Sequence, residues 1–456
     1  MAKDNAAQRD RLPVKVPLAG APVGVLQSWR LMRENILNII PEVATRDPVV
    51  SGRTGKRWHM IMEPAALQQV LLERLDNYPK SVVTKNLLRP AIGDSLFIAE
   101  GAHWRWQRRT AAPAFSHRHV SALGPIMTAA ASRSAERIRT AGPRAINMLD
   151  EMVAATFDVI AEVTFSADGS FDRTVVHEAI EAYVRDAGRI SLFDVLGAPD
   201  WVPRPGRVAT TTQMSQMRRN ADAAIEARAK RGPGDIPDLL DLLLLGQDPK
   251  TGRTMTTGEL RDNLLTFIVA GHETTALTLA WSLYLCAFDP TVQERAREQA
   301  RSVLQGRAAE AADVPKLGYI RQIIDEALRL YPPAGVVSRT AQGADNLCGA
   351  DIRPGDTVMI PIYALGRHHL LWSAPDQFDP DRFADRKRIK RFSYLPFGDG
   401  PRICIGASFA VQEAVIILAT LLSRFAFYPV RGKDPKPVMI LTLRPDGGVW
   451  LTAEPL

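Results

Sequence analysis

Apolar residues recur every three to four positions along most of this chain, which is the spacing typical of amphipathic helices. The densest stretch covers residues 257–288, where Thr257 can cap a helix and Asp289-Pro290 can end it. Because this helix is apolar nearly all round, we expect it to run through the centre of the body. The same spacing predicts helices over residues 23–40, 101–112, 120–141, 148–166, 172–188, 206–231, 235–246, 291–305, 317–331 and 407–424, and from Pro64 onward.

Strand patterns occupy a smaller part of the chain. Residues 49–62 predict a hairpin, residues 332–403 predict short strands among many turn residues, and residues 425–456 predict hairpins around Asp446-Gly447-Gly448. Residues 86–100 mix Gly, Pro and apolar residues, so we expect a long loop there. The pattern as a whole predicts a mainly α fold with a small β portion.

We find no internal repeat and no interior linker. Residues 1–22 are polar and interrupted by proline, which predicts a flexible N-terminal arm. Residues 23–456 are therefore expected to form a single domain with several layers of helix.

Composition and charge exclude several classes of protein. The chain has 456 residues, of which 46% are hydrophobic and 23% charged, so a disordered or fibrous chain is excluded. The net charge of +7 is mild, and we find no basic footprint typical of nucleic-acid binding. Three cysteines without a pairing pattern, no signal peptide and no run of 18 apolar residues predict a cytoplasmic protein without a membrane anchor.

The charge is concentrated in one short run. Residues 384–391 hold five basic residues and one acidic residue. Such a run is either a solvated loop or a docking patch for an acidic partner, and composition alone leaves both open.

The segment from Phe397 to Gly406 carries the most specific pattern, Phe-Gly-Asp-Gly-Pro-Arg-Ile-Cys-Ile-Gly. Cys404 stands in a glycine-rich loop that opens an apolar helix. Glycines allow a tight turn and close approach to a flat ligand, and amides at a helix N-terminus stabilise a thiolate. The pattern favours a thiolate ligand for a large, flat metal cofactor over a buried structural cysteine.

From about residue 40 to its end, the chain resembles the cytochrome P450 family of haem-thiolate monooxygenases, and in particular its soluble bacterial members. The resemblance implies the cytochrome P450 fold and haem b (iron protoporphyrin IX) with Cys404 as the axial iron ligand. It places Phe397 beside the sulfur, counts Gly406 among the cofactor-binding residues and pairs Arg402 with a haem propionate. Thiolate ligation favours cleavage of the O–O bond.

A second motif, Ala-Gly-His-Glu-Thr-Thr, lies in the middle of the long helix at residues 270–275. On its own it is either a polar notch satisfied by local hydrogen bonds or a proton path into a dry site. By resemblance, Thr274 holds dioxygen and an ordered water, and Glu273 helps to deliver protons. Ala270 would leave room above the haem, and His272 would pack away from it.

Two further motifs follow the order of the same family. Glu326 and Arg329 share a helix face, and the family completes such a buried pair with an arginine at the position of Arg382, in a structural role. The propionate contacts implied by the resemblance are Trp104, Arg108 and Arg339.

The resemblance also implies a substrate pocket. Its expected residues are mostly apolar, which predicts an apolar substrate such as a fatty acid, terpenoid, steroid or aromatic compound. They comprise residues 189–202 together with Leu96, Phe97, Phe267, Ala270, Val336, Val337 and Leu441.

The function that this resemblance implies is insertion of one oxygen atom of O2 into such a substrate. Electrons would come from a separate ferredoxin or flavodoxin with its NAD(P)H reductase, docked near the basic residues Arg386, Lys387, Arg388, Lys390 and Arg391. Two alternatives are a peroxygenase of the same fold and a redox-silent haem-binding or sensing protein. The peroxygenases carry Arg and Pro where this chain has Glu273 and Thr274, which disfavours the first alternative.

Overall fold

The computed structural model describes residues 12–20, 24–165, 211–234 and 237–456. Helices dominate this part of the chain, and one of them, α10, is much longer than the rest. The helices are α1 Val25–Glu34, α2 Pro64–Gln68, α3 Val82–Ile92, α4 Gly101–Ala111, α5 His117–Ala122, α6 Gly124–Ala141, α7 Met148–Phe165, α8 Thr211–Arg231, α9 Leu239–Leu244, α10 Thr257–Phe288, α11 Pro290–Leu304, α12 Gly318–Leu330, α13 Ile362–Leu365 and α14 Ala407–Arg424.

Short strands form four small sheets in the same residues, with the orders β1-β2-β7-β4, β3-β11-β8, β9-β10 and β5-β6. The predicted hairpin of β1 and β2 is confirmed, with Val49 opposite Ile61. The strands are β1 Val49–Thr54, β2 Lys56–Ile61, β3 Ile146–Asn147, β4 Val337–Thr340, β5 Asp345–Leu347, β6 Ala350–Ile352, β7 Thr357–Ile360, β8 Phe425–Pro429, β9 Lys436–Met439, β10 Leu443–Asp446 and β11 Trp450–Pro455.

Helix α10 spans 32 residues and is buried along most of its length, as its apolar pattern predicts. It packs against α7 and α14. The N-cap is Thr256 rather than the predicted Thr257, because Thr256 Oγ1 accepts a hydrogen bond from the Glu259 amide while the Glu259 side chain binds back to Thr256. A helix of this length carries the middle residues of its sequence to the centre of the protein.

The expected loop over residues 86–100 is wrong in its first half, where α3 continues to Ile92. Ser81 caps α3 by accepting a hydrogen bond from the Thr84 amide. Pro90 lies near the C-terminal end of α3, so its missing N–H costs the helix only one internal hydrogen bond. The proline in this segment therefore does not end the helix, although the sequence pattern indicated a loop.

The predicted helix over residues 120–141 is two helices, α5 and α6, which meet at Leu123. Pro125 stands in the first turn of α6, where its fixed φ suits a helix start but not a helix interior. The predicted helix over residues 172–188 and the pocket segment 189–202 lie outside the described residues.

The expected hairpin around Asp446-Gly447-Gly448 is also wrong. Strand β10 pairs with β9, whereas β11 pairs with β3 and β8, so this turn connects two sheets. The hairpin of β9 and β10 turns instead through residues 440–442.

Residues 12–20, expected as part of a flexible arm, pack on the body of the protein. Val16 is buried, and its amide donates to the Tyr363 hydroxyl at 2.9 Å. The amide of Val14 donates to the Tyr284 hydroxyl, and its carbonyl accepts from the Tyr331 hydroxyl. Buried tyrosine hydroxyls require partners, and this segment supplies them.

Candidate functional site

The loop before α14 holds Cys404 in a fixed backbone. The Cys404 amide donates to the Phe397 carbonyl at 2.9 Å and closes the loop. Gly400 has φ +72°, and a Cβ at this position would clash with the Leu71 carbonyl oxygen. The loop therefore turns and packs in a way that only glycine allows at this position.

The Cys404 thiol lies beside two groups that stabilise a thiolate. Burial raises the pKa of Cys404 above its usual value, while the Gly406 amide and the positive charge of Arg108 act in the opposite direction. The three cysteines are free. A bound metal deprotonates its thiol ligand outright, so a metal at this sulfur would overcome the effect of burial.

The middle of α10 has one accessible strip in an otherwise buried helix. Ala270 is exposed and Thr274 is half-buried, whereas Ile268 and His272 are buried. Thr274 Oγ1 donates to the Ala270 carbonyl at 2.7 Å, so the hydroxyl is placed against its own helix. A small residue and a hydroxyl thus make up the accessible strip of this helix.

Glu273 lies next to this strip but contacts another element. It is buried, accepts a hydrogen bond from Thr442 Oγ1 at 2.8 Å, and lies 3.5 Å from Arg444 Nε. His272 is packed away, with Nδ1 2.9 Å from the Ile268 carbonyl and its ring against Phe157.

Several cations meet beside the cysteine loop. Arg402 donates to the Ala99 carbonyl at 3.0 Å and to Glu100, and lies 4.3 Å from the centre of the Trp104 ring. Burial, with the charge of Arg402, lowers the pKa of Arg339 to about 10. Burial also lowers the pKa of Arg108.

Lys80 belongs to the same cluster, and sequence reasoning missed it. Its amide donates to Glu100 Oε1 at 2.8 Å, its ammonium donates to the Phe97 carbonyl, and its backbone forms a bridge with Arg339. Burial lowers the pKa of Lys80 well below its usual value, and the nearby charges of Arg339 and Arg402 add to this. No motif marks this lysine, because the bridge joins residues far apart in the sequence.

These residues fit a haem. Among the described residues, Lys80, Arg339 and Arg402 are opposed mainly by the carboxylate of Glu100, with a smaller effect of Asp76 on Arg402, and Arg339 Nε is buried without a partner. Two propionates would supply the missing negative charge. No group of three or more His, Cys, Asp or Glu side chains suited to a metal ion occurs in these ranges. A single thiolate is the ligand that a thiolate-ligated haem requires from the protein.

A buried ion pair lies on α12. The two oxygens of Glu326 accept from Arg329 Nη2 and Nε, each at 2.6 Å, and both side chains are fully buried. Arg382 Nε lies 3.3 Å from Glu326 Oε1. The structure therefore brings together the three residues singled out from the sequence.

Most basic residues of the run 384–391 form ion pairs with carboxylates of the same chain. Arg386 contacts the buried Asp325, while Arg388, Lys390 and Arg391 lie 3.2–3.4 Å from carboxylates. Those carboxylates belong to Asp385, Glu63 and Asp399. The positive potential of the run is therefore smaller than its sequence indicates.

The expected pocket residues differ in exposure. Phe267 is buried and packs edge-on against Phe115 with ring centres 5.0 Å apart. Leu96 is buried, and its amide donates to Asn263 of α10, which ties the segment after α3 to the long helix. Phe97 is 40% exposed. The remaining residues, Val336, Val337 and Leu441, are partly buried against the core.

Fold and site together define a mainly α haem-thiolate protein. The family model for cytochrome P450 matches residues 17–452. The chain therefore belongs to the cytochrome P450 family, and it is a haem-thiolate monooxygenase, an oxidoreductase that uses O2, an apolar substrate and redox partners.

Two bacterial relatives match over most of their length. Cyclooctatin synthase from Streptomyces melanosporofaciens is 32% identical over 441 residues, which cover 95% of this chain and 93% of that protein. Cyclooctat-9-en-7-ol 5-monooxygenase from the same organism is 32% identical over 426 residues, covering 92% of this chain and 90% of that protein. Plant and mammalian relatives also match, so the similarity is not restricted to bacteria.

The solved structure of the cytochrome P450DA heme domain matches with a TM-score of 0.81 and 26% identity. The match covers 98% of this chain and 99% of that one. Of the described helices, Ala407–Arg424 alone is long and apolar enough to cross a membrane, and 72% of it is buried inside the protein.

Proposed function

We propose that Cys404 is the axial thiolate ligand of haem b and that this haem gives the chain its monooxygenase activity. The observation that carries the proposal is the meeting of one thiol with an excess of buried cations. Arg108, Arg339 and Arg402 would bind the propionates, with Trp104 beside Arg402. Lys80 would join them because the charges of Arg339, Arg402 and Glu100 all act on its ammonium group.

The cysteine loop would orient the ligand. Phe397 accepts the hydrogen bond that closes the loop, and the Gly406 amide binds the sulfur. Glu326, Arg329 and Arg382 would have a structural role, since their ion pairs fix the segment that precedes the loop. We propose a single haem domain over residues 23–456, onto which residues 12–20 pack, because buried residues of the described ranges from Val16 to Ala453 form one hydrophobic cluster.

When bound, a thiolate-ligated haem supplies the activation of O2, and the protein positions the substrate and the protons. Thr274 presents its hydroxyl on the accessible strip of α10 and would pass protons there. Glu273, the adjacent residue, would collect protons and deliver them to this hydroxyl. Ala270 would leave room for dioxygen and substrate beside this hydroxyl, because its side chain is only a methyl group.

The substrate is proposed to be apolar. Leu96, Phe97, Phe267, Val336, Val337 and Leu441 would contact it, and none of these side chains offers a hydrogen-bond donor or acceptor. The relatives are named for different compounds, including cyclooctat-9-en-7-ol and cytokinin, so their names do not select one substrate.

A separate ferredoxin or flavodoxin with its NAD(P)H reductase is proposed to supply electrons in the cytoplasm. The basic run at Arg386, Lys387, Arg388, Lys390 and Arg391 would receive it. Lys387 is the strongest candidate, because the others of this set contact carboxylates within the chain. The charge-reversal variant Lys387→Glu should slow reduction of the ferric protein, and more so at low salt.

The proposed proton route is tested by turnover with a ferredoxin system and NAD(P)H. Thr274→Ala and Glu273→Gln should lower product formed per NAD(P)H and release the difference as hydrogen peroxide or water. Thr278→Val is the matched control, since Thr278 also donates to the carbonyl four residues earlier. Efficient turnover by both variants would contradict the route.

The same assay separates the alternative functions. Turnover that needs only hydrogen peroxide would indicate a peroxygenase. Haem binding without substrate-dependent oxygen uptake would indicate a sensing protein. Product that depends on O2 and NAD(P)H is the result we expect.

A further inference from the structure

The acid in the long helix is held by a hairpin far away in the sequence. Thr442, in the turn between β9 and β10, donates to Glu273 Oε1 at 2.8 Å. Arg444, the second residue of β10, lies 3.5 Å from the same oxygen. No motif in the sequence connects these residues, and the carboxylate they contact is buried.

The hairpin presents these two side chains from a fixed backbone. Asn35 donates to the Pro437 carbonyl at 3.0 Å and accepts from the Met439 amide at 3.1 Å. On the other strand, the Leu443 amide donates to the Pro333 carbonyl, and its carbonyl accepts from Trp281 Nε1 of α10. The hairpin is thus fastened to the same helix that carries Glu273.

The effect of these two contacts depends on the burial of the Glu273 carboxylate. A carboxylate away from water needs hydrogen bonds and a compensating charge to keep one orientation. Thr442 supplies the hydrogen bond and Arg444 the charge. The Arg444 side chain is 27% exposed, so it lies between the buried acid and the protein surface.

We propose that Thr442 and Arg444 are positioning residues that hold Glu273 between solvent and Thr274, so that proton delivery depends on the hairpin. A proton from solvent water is taken up by the Glu273 carboxylate, which passes it to the Thr274 hydroxyl oxygen as that hydroxyl releases its own proton, and so returns to its charged form. Thr442 and Arg444 keep their own protons throughout. The inference rests on the role proposed above for Glu273.

Four variants of the intact haem protein test the proposal, Thr442→Val, Arg444→Met and their conservative partners Thr442→Ser and Arg444→Lys. Partners that orient a reactive group typically contribute about tenfold to its activity. We therefore expect Thr442→Val and Arg444→Met each to lower product formed per NAD(P)H by about tenfold, with more peroxide and a larger solvent isotope effect. Thr442→Ser and Arg444→Lys should restore most of the loss.

Two readouts do not depend on turnover. The affinity for substrate, measured by the spin-state shift of the ferric protein, should change less than about twofold, because the contacts are with Glu273 rather than with substrate. The thermal midpoint of the ferric protein should show non-additive losses when either variant is combined with Glu273→Gln. Lys436→Ala, at the exposed end of the hairpin, is the matched control and should leave every readout unchanged.

The outcomes separate the inference from the function on which it rests. If Glu273→Gln turns over normally, the proposed role of Glu273 is wrong and the inference falls with it. If Glu273→Gln is impaired while Thr442→Val and Arg444→Met keep normal coupling, only the inference is overturned. The inference would also be overturned if, in a double variant, the loss of product per NAD(P)H caused by Thr442→Val or Arg444→Met multiplied with the loss caused by Glu273→Gln. The two residues would then act independently.

Discussion

Glu326 and Arg329 form a fully buried pair in which two parallel hydrogen bonds of 2.6 Å join one carboxylate to one guanidinium. The remaining nitrogen of the fork, Arg329 Nη1, donates to the carbonyls of Gly366 and Pro375. One helix of the core is thereby tied to the irregular segment that leads to the cysteine loop. The pair therefore supports the cysteine loop structurally, although neither residue is part of the candidate haem site.

Arg329→Lys should destabilise the protein strongly, because an ammonium cannot reproduce the planar fork and leaves Glu326 partly uncompensated. Breaking a buried pair costs about 3–5 kcal/mol. Urea unfolding followed by far-UV circular dichroism measures the loss. Arg139→Lys is the control, since Arg139 and Glu136 form an exposed pair with the same spacing, and it should leave the midpoint unchanged. Equal stability of both variants would contradict the structural role.

Gly400→Ala should disrupt the cysteine loop, whereas Gly398→Ala should do so much less. Both glycines have positive φ, so each substitution costs about 1 kcal/mol or more in backbone strain. The added Cβ meets open space at position 398 but the Leu71 carbonyl at position 400. Haem content after purification and the urea midpoint should fall much further for Gly400→Ala than for Gly398→Ala. Similar values for the two variants would show that the close approach to Leu71 is unimportant.

Arg339→Met and Lys80→Met should each speed haem loss. A hydrogen bond to a charged group contributes about 1.5–3 kcal/mol, which corresponds to about tenfold or more in haem retention. Transfer of haem from the ferric protein to excess apomyoglobin measures the rate. Lys436→Met is an exposed control. Unchanged transfer from Lys80→Met would remove this lysine from the propionate site while leaving Arg339 in place.

Glu413 is a buried acid on α14 that faces Thr275 of α10. Burial raises the pKa of Glu413 well above its usual value, with a smaller opposite effect of the Thr275 hydroxyl. The folded protein therefore holds a proton that the unfolded chain releases above its usual pKa. Stability must then fall as the pH rises between these two values.

Glu413→Gln removes this dependence because the amide stays neutral. The difference in unfolding free energy between Glu413→Gln and wild type should grow in favour of the variant as the pH rises, by at most about 1.4 kcal/mol per pH unit. Urea unfolding at several pH values from 5.5 to about 8 measures it. A constant difference would mean that Glu413 ionises normally in the folded protein.

Local patterns were sufficient where the chemistry is local. The spacing of Glu326 and Arg329 on one helix face indicated their contact, and the glycine-rich loop before an apolar helix indicated the setting of Cys404. In both cases the decisive partners are a few residues apart, so the sequence alone places them together.

Contacts that depend on strand pairing could not be predicted from local sequence patterns. Lys80 reaches the cation cluster through a bridge to Arg339, and Thr442 reaches Glu273 through a hairpin 169 residues further along the chain. The turn at Gly447-Gly448 was misread for the same reason, because partner choice in a sheet depends on tertiary packing.

The central claim is ligation of haem iron by Cys404, and the reduced, carbon-monoxide-bound absorption spectrum tests it most directly. Wild type and Cys348→Ala, which removes another free cysteine, should show a Soret band far to the red. Cys404→Ala should lose that band. A red-shifted band that survives in Cys404→Ala, or a wild-type band typical of histidine-ligated haem, would contradict the assignment.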